Sequence, residues 1–246
     1  MKKTILFAPV ALLVFASCKK DALQQDNTAP VQPQATVVNF PEIGIGGGGM
    51  IGDFLKSKLV AWYAFDHSTI DSANTSSYLL ASSPVYVADR KGKLNSAVSF
   101  TGQYNIMTPY IALGSAMSIS VWMKRDSMYT DVPFITPLKS GPSFWQTGYC
   151  FATGINVSKD GRIKTGGYVD EKWHHLVTTC DGSTMKFYVD GVLKGATSYN
   201  ATMGTQQYQL GIAFFPQNNH WKGRLDDLRF YNRVLSQYDV TALYNL

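Results

Sequence analysis

The stretch Met185-Lys186-Phe187-Tyr188-Val189-Asp190-Gly191-Val192-Leu193 decides the fold class. Met, Phe and Val alternate with Lys, Tyr and Asp, the two-residue period of a strand with one face to a core and the other outward. Asp190-Gly191 then calls for a tight turn with positive φ, which glycine adopts without strain, so the chain reverses into Val192-Leu193 as a hairpin. The same punctuation recurs at Asp160-Gly161 and Asp181-Gly182. Between turn signals, β-branched and aromatic runs predict strands over Leu59–Phe65, Ala97–Phe100, Met107–Leu113, Ser118–Lys124, Phe144–Asn156, Arg162–Tyr168, His174–Cys180, Met185–Asp190, Val192–Ser198, Tyr208–Phe215 and Gly223–Asn232. Residues 57–246 therefore read as one all-β domain. Only its last segment reads as helix: Ser236 is placed to cap it, Asp239 sits at the reciprocal capping-box position, and Leu235 faces Val240 as a staple. Val240, Leu243 and Tyr244 then form an apolar stripe suited to lying on a sheet.

Ahead of the domain the pattern changes. Lys2 and Lys3 precede an apolar run from Ile5 to Phe15 and the small residues Ala16 and Ser17, so residues 1–17 read as a secretory signal. The run is shorter than the roughly 20 residues a membrane-spanning helix needs. Phe15-Ala16-Ser17-Cys18 resembles the lipobox of bacterial lipoproteins, which implies a lipid such as palmitate on Cys18 and attachment to the cell envelope, with the outer membrane as the expected site. Lys19-Lys20-Asp21 looks like the start of Bacteroidota-type lipoproteins. Residues 18–56, rich in Gln, Pro, Asn and Gly, read as the lipidated cysteine and a flexible tether. Gly44 to Gly52 lacks the Gly-Lys-Ser/Thr ending of a phosphate loop.

Charge excludes little except nucleic acid. The chain carries +5, which falls to +3 once Lys2 and Lys3 leave with the signal. Its basic residues are scattered among aspartates, with no stripe and no DNA- or RNA-binding motif. Glu42 and Glu171 are the only glutamates among 17 acids, so the rest are short side chains suited to turns. An exported chain can hold a disulfide. Cys150 and Cys180 are either such a pair or two small buried hydrophobes.

Several ordered runs resemble the laminin-G-like domains of the concanavalin A-like lectin/glucanase superfamily. They are Trp62-Tyr63-Ala64-Phe65-Asp66, Gly92 through Gly102, Ser118 through Lys124, Trp173-His174-His175-Leu176-Val177 with Asp181-Gly182, Lys186 through Gly191, and Gly223 through Ser236. The agreement extends from about Leu59 to the C-terminus. It implies a jelly-roll sandwich of two antiparallel sheets with a short C-terminal helix. It also implies a calcium ion held by Asp66 and Asp71 with Asp226 or Asp227, oxygen ligands that suit a hard cation. The other reading is that these aspartates cap turns and pair with Arg224 or Arg229.

The superfamily's glycosidases make hydrolysis the natural enzyme reading, and that chemistry needs two carboxylates across a bound sugar. Glu42 lies in the tether, Asp170 and Glu171 lie at a turn, and Asp226 and Asp227 are expected on opposite faces of one strand. No catalytic residue is therefore assigned. His174 and His175, adjacent on a strand, are likewise expected to diverge and not to chelate one ion. Sugar binding instead calls for aromatic platforms with a few placed polar groups. Trp122, Trp173, Phe187 and Phe230 match core positions, which leaves Trp145, Phe215, Asn218, Asn219, His220 and Trp221 as the candidate ligand-binding residues. The expected function is a non-catalytic, lipid-anchored module that binds a glycan or polysaccharide. The first alternative is a protein-binding adhesion module for surface proteins, and the second is a glycan-active hydrolase.

Overall fold

The computed structural model describes residues 50–81, 83–102, 105–126, 132–139, 141–146, 151–155, 163–164, 170–199, 204–213 and 219–246, with residues 50–52, 145–146, 151, 154–155, 212–213 and 219 described by backbone alone. Two antiparallel sheets form a jelly-roll sandwich. The first, eight-stranded, runs Val192–Ser198, Thr184–Val189, His174–Asp181, Ala116–Arg125, Lys222–Tyr231, Ala97–Thr101, Val85–Val87, with Leu59–Tyr63 also paired to Lys222–Tyr231. The second, seven-stranded, runs Ile163–Lys164, Phe151–Ile155, Pro142–Gln146, Val132–Pro137, Tyr208–Leu210, Ile106–Met107, Leu80–Ala81. Their facing sides share one apolar core, to which Ile119, Val121, Leu176, Phe187, Leu225 and Phe230 contribute from the first sheet and Phe134, Ile135, Phe144, Tyr208 and Leu210 from the second.

The hairpin that announces the fold forms as read, with Asp190 at φ 51 and Gly191 at φ 78 joining Val189 to its partner Val192. Three expected strands are broken. Met107–Leu113 becomes Ile106–Met107 and Ile111–Leu113, and Phe144–Asn156 becomes Pro142–Gln146 and Phe151–Ile155. Tyr208–Phe215 breaks at Gly211, which sits at φ 82 with its α-carbon against the Phe100 ring, where any Cβ would collide. Val132–Pro137 is a strand that its two prolines conceal, since proline cannot donate to a ladder.

The outer face of the eight-stranded sheet carries a second, smaller core. The C-terminal helix Gln237–Tyr244 lies there, closed by the expected capping box: Ser236 Oγ accepts from Asp239 N at 3.2 Å, and Asp239 Oδ2 accepts from Ser236 N at 2.7 Å. Leu235, Val240 and Leu243 pack with Val177, Tyr188 and Tyr231. The tether reading through residue 56 extends too far. Met50–Lys56 is helical, Leu55 is buried in this same cluster, and the Phe54 ring lies 5.4 Å from that of Tyr238. Arg233 holds the helix from below, donating to the Phe54 and Ser57 carbonyls.

Candidate functional site

The strand Lys222–Tyr231 is flanked on one edge by two different partners. Lys222 to Leu225 pair with Ala97–Thr101, whereas Leu228 to Tyr231 pair with Leu59–Tyr63. On its other edge the register against Ala116–Arg125 slips between Asp226 and Arg229, and Asp227 adopts φ 50. This bulge overturns the expectation that Asp226 and Asp227 face opposite ways, because an extra residue breaks the alternation. Both carboxylates instead meet one guanidinium. Arg90 Nη1 bonds Asp226 Oδ2, and Arg90 Nη2 lies 2.8 Å from Asp227 Oδ2.

The rest of the cluster grows from these groups. Asp227 Oδ1 also accepts from Trp62 Nε1 at 2.8 Å and from Arg229 Nη2 at 3.0 Å, and the Arg229 guanidinium lies 4.7 Å over the Trp62 ring. Asp71 Oδ1 accepts from the backbone N–H groups of Trp62 and Ala73, both at 2.8 Å. Arg90 is delivered by a turn that Asp89 organises, its Oδ1 accepting from the N–H groups of Lys91 and Lys93 at 2.8 Å. Asp226 and Asp227 are 2 % and 8 % exposed. Burial, reinforced by the Asp227 charge and opposed by Arg90, pushes the Asp226 carboxyl up to about 7.

His175, Trp122 and Asp226 stand in register across three strands, and so share a face. His175 Nε2 lies 2.8 Å from Ser120 Oγ, and burial, with Arg229 next in weight, pushes this imidazole down to about 3. His174 diverges from it as expected and sits between Asp190 Oδ2 at 2.7 Å and Asp170 Oδ1 at 3.0 Å. Burial pulls the His174 pKa down, but the hydrogen bonds its ring donates to those two aspartates leave it raised.

Beside the cluster opens a cleft of about 370 Å³ lined by Arg90, Lys91, Trp122, Trp173, Tyr244 and Asn245, among others. The Tyr244 ring stacks on Trp122 with centroids 5.6 Å apart, and the Arg90 guanidinium lies 4.8 Å from the centroid of Trp122. Trp122 Nε1 is buried with no hydrogen-bond partner among the described residues. Trp173, expected in the core, is a half-buried wall of this cleft. The arrangement joins flat apolar rings to a guanidinium, an ammonium and an amide, which is the composition of a polar small-ligand site.

The residues assigned from sequence are distributed differently. Trp221 is 0 % exposed and packs in the core, its ring 5.0 Å from Phe134 and 5.8 Å from Phe100, so it offers no face to a ligand. Gly223 leaves the room for that ring, which a Cβ would strike. His220 is half-buried, with its Nδ1 unpartnered among the described residues. Asn219 pairs with Ala213 as backbone and Trp145 with Ala152, while Phe215 and Asn218 lie outside the described residues, as do Cys18 and Cys150. Cys180 is a free, buried thiol whose pKa burial pushes up to about 12.

The four aspartates of the implied calcium site do not converge. Asp66 bonds Lys93 Nζ at 2.7 Å, Asp71 is taken up by backbone donors, and Asp226 and Asp227 hold Arg90. Among the described residues no three His, Cys, Asp or Glu side chains stand together as a metal cluster. As arranged, these donors do not fit calcium. Arg90, Trp173 and Tyr244, none assigned from sequence, form the cleft instead. The Asp89-Arg90-Lys91-Gly92 turn was the available signal, and nothing in it reveals which sheet it overhangs.

The second sheet offers a different surface. Gln209 alternates with Tyr208 and Leu210, which both enter the core, so its side chain leaves the core on the outer face beside Thr136, its register partner. Gln209 is 0 % exposed, and its Nε2 and Oε1, like Thr136 Oγ1, have no partner among the described residues.

Two antiparallel sheets around one core, capped by a short helix and bearing a surface cleft, define a jelly-roll sandwich domain. A laminin-G model described as the concanavalin A-like lectin/glucanases superfamily matches residues 96–241, and the chain belongs to that family. No curated protein matches it in sequence. Among solved structures it is similar to domain 4 of AbnA, a GH43 extracellular arabinanase from Geobacillus stearothermophilus, in complex with arabinotriose. That likeness has 22 % identity and a TM-score of 0.62 over 76 % of this chain and 98 % of that one. It is also similar to the botulinum neurotoxin serotype D ligand binding domain in complex with N-acetylneuraminic acid, with 14 % identity, a TM-score of 0.63, and coverage of 79 % and 52 %. The binding domain of Paraclostridial Mosquitocidal Protein 1 has 16 % identity, a TM-score of 0.61, and coverage of 78 % and 52 %. The chain spans about half the length of these toxin domains. At these identities the likenesses speak to fold alone.

Proposed function

We propose that this domain is a non-catalytic glycan-binding module held at the cell envelope by a lipid on Cys18. The observation that carries the reading is the open cleft in which Trp173 and Tyr244 stand beside Lys91 and Asn245, over buried Trp122 and the Arg90 guanidinium that lies against it. Indole and phenol rings bury the C–H face of a sugar, and ammonium and amide donors order its hydroxyls. Domain 4 of AbnA, matched over 98 % of its length, was solved with arabinotriose, and a toxin ligand binding domain matched over 52 % of its length was solved with N-acetylneuraminic acid, which supports a carbohydrate ligand in general. The acid pair created by the bulge argues against hydrolysis: both carboxylates are buried on Arg90 and do not flank an open space.

The test is a glycan panel probed with soluble residues 19–246, with and without a calcium chelator. Saturable binding that falls at least tenfold in Trp173→Ala supports the reading, and silence across the panel removes it. For the anchor, cells fed labelled palmitate should label the chain, and Cys18→Ser should abolish both the label and membrane attachment.

A protein-binding reading has one observation of its own. Ile70, Tyr78 and Leu80 are exposed together at the edge of the seven-stranded sheet, with Tyr78 at 58 %, and Tyr78 and Leu80 line a hollow of about 440 Å³. Capture of a partner that survives glycosidase treatment and is lost in Tyr78→Ala would favour it.

A further inference from the structure

We infer that Arg90 is a built-in cation that stands where a divalent metal would otherwise be needed, so that the Asp226–Asp227 bulge is held without calcium. Two adjacent carboxylates, both nearly sealed from solvent, require a positive partner between them. A guanidinium meets that requirement with a planar fork that gives one nitrogen to each acid, where an ammonium would supply the same charge from a single point. Arg90 does this with Nη1 on Asp226 and Nη2 on Asp227.

Three features mark the guanidinium as fixed and not incidental. Its side chain is 10 % exposed. The Asp89 turn, with Gly92 at φ 82, sets its backbone. The Trp122 ring supports its flat face. The remaining oxygen of Asp227 is already taken by Trp62 and Arg229, and Asp71 Oδ1 is taken by two backbone N–H groups. A metal entering here would have to displace Arg90, whereas removing Arg90 leaves two buried acids facing a space that a hard cation suits.

The inference is independent of the glycan reading, and its test uses unfolding and luminescence instead of ligand binding. The full chain is heated in chelator and in millimolar calcium, and terbium emission is followed with excitation of tryptophan, for which Trp62 and Trp122 are the adjacent donors. The unaltered chain should melt at the same temperature in both solutions. Arg90→Ala should melt lower in chelator and recover by about 5–10 °C in calcium, and should gain a terbium signal that disappears in Arg90→Ala/Asp226→Asn. Arg90→Lys, which keeps one cation, should fold and ignore calcium. Calcium dependence of the unaltered chain or of Arg90→Lys overturns the inference. So does an Arg90→Ala chain that gains nothing from calcium, whether folded or unfolded.

Discussion

The two outer faces of the sandwich hold different kinds of buried polarity. On the eight-stranded sheet one cluster of buried charges is closed by counter-charges: Asp226 and Asp227 on Arg90, and Arg229 on Asp227. On the seven-stranded sheet the buried polar groups among the described residues are neutral, and the Gln209 amide beside Thr136 has no partner among those residues. The difference follows from magnitude. An unpaired buried charge costs several kcal/mol, so a fold must close it internally. An unpaired amide or hydroxyl costs about 1–3 kcal/mol, little enough to be carried.

The largest effect expected from this contrast is at Arg90. Arg90→Ala strands two carboxylates and should destabilise by about 3–5 kcal/mol, read as a lower denaturation midpoint with unchanged m-value. Arg229→Ala, which leaves Arg90 in place, should cost less. Equal losses would show that Arg90 is one contact among several and not the centre of the cluster.

Next comes pH, where the neighbouring histidines work in opposite directions. Burial lowers the His175 pKa to about 3, so below its unfolded value of about 6.5 the unfolded chain takes up more protons, and stability drains away as pH falls through that window. His174 is raised by Asp190 and Asp170, so its contribution is complete below about 6.5 and is lost as pH climbs through its folded pKa. His175→Gln should flatten the acid limb of a stability profile, and His174→Gln the limb that falls as pH rises from about 6.5. A profile in which the same limb responds to both substitutions would contradict this division.

Gln209→Met tests the other face. The substitution keeps the volume and removes two unpartnered polar atoms, so it should raise stability by about 1 kcal/mol. A loss of similar size would mean that the amide is satisfied in solution by water.

What the sequence made legible was local. The Asp190-Gly191 hairpin and the Ser236–Asp239 capping box are set by a few adjacent residues, and both formed as read. The bulge was not legible, because it arises where Leu59–Tyr63 and Ala97–Thr101 meet along one edge of Lys222–Tyr231, a product of long-range pairing. The aromatics exchanged roles for the same reason. Trp221 enters the core where Gly223 makes room, and Trp173 stays half-exposed just ahead of its strand. Helix Met50–Lys56 was hidden by the glycine run before it, and its anchors, Phe54 and Leu55, find their partners on the C-terminal helix and the second core.

The smallest stability effect decides most about function. Trp173 is half-buried at the rim of the cleft, so Trp173→Ala should change stability by no more than about 0.5 kcal/mol, the usual range for a surface substitution. If a sugar ring lies on that indole, the same change should weaken glycan binding at least tenfold, a loss of about 1.4 kcal/mol of binding free energy. Tyr78→Ala offers the opposite assignment, since a glycan seated at the edge of the seven-stranded sheet would lose that exposed ring and be indifferent to Trp173. Isothermal titration of both variants against one glycan therefore assigns the ligand to a face. Binding that fails only in Tyr78→Ala would move the site across the sandwich and leave the aromatic cleft without that role.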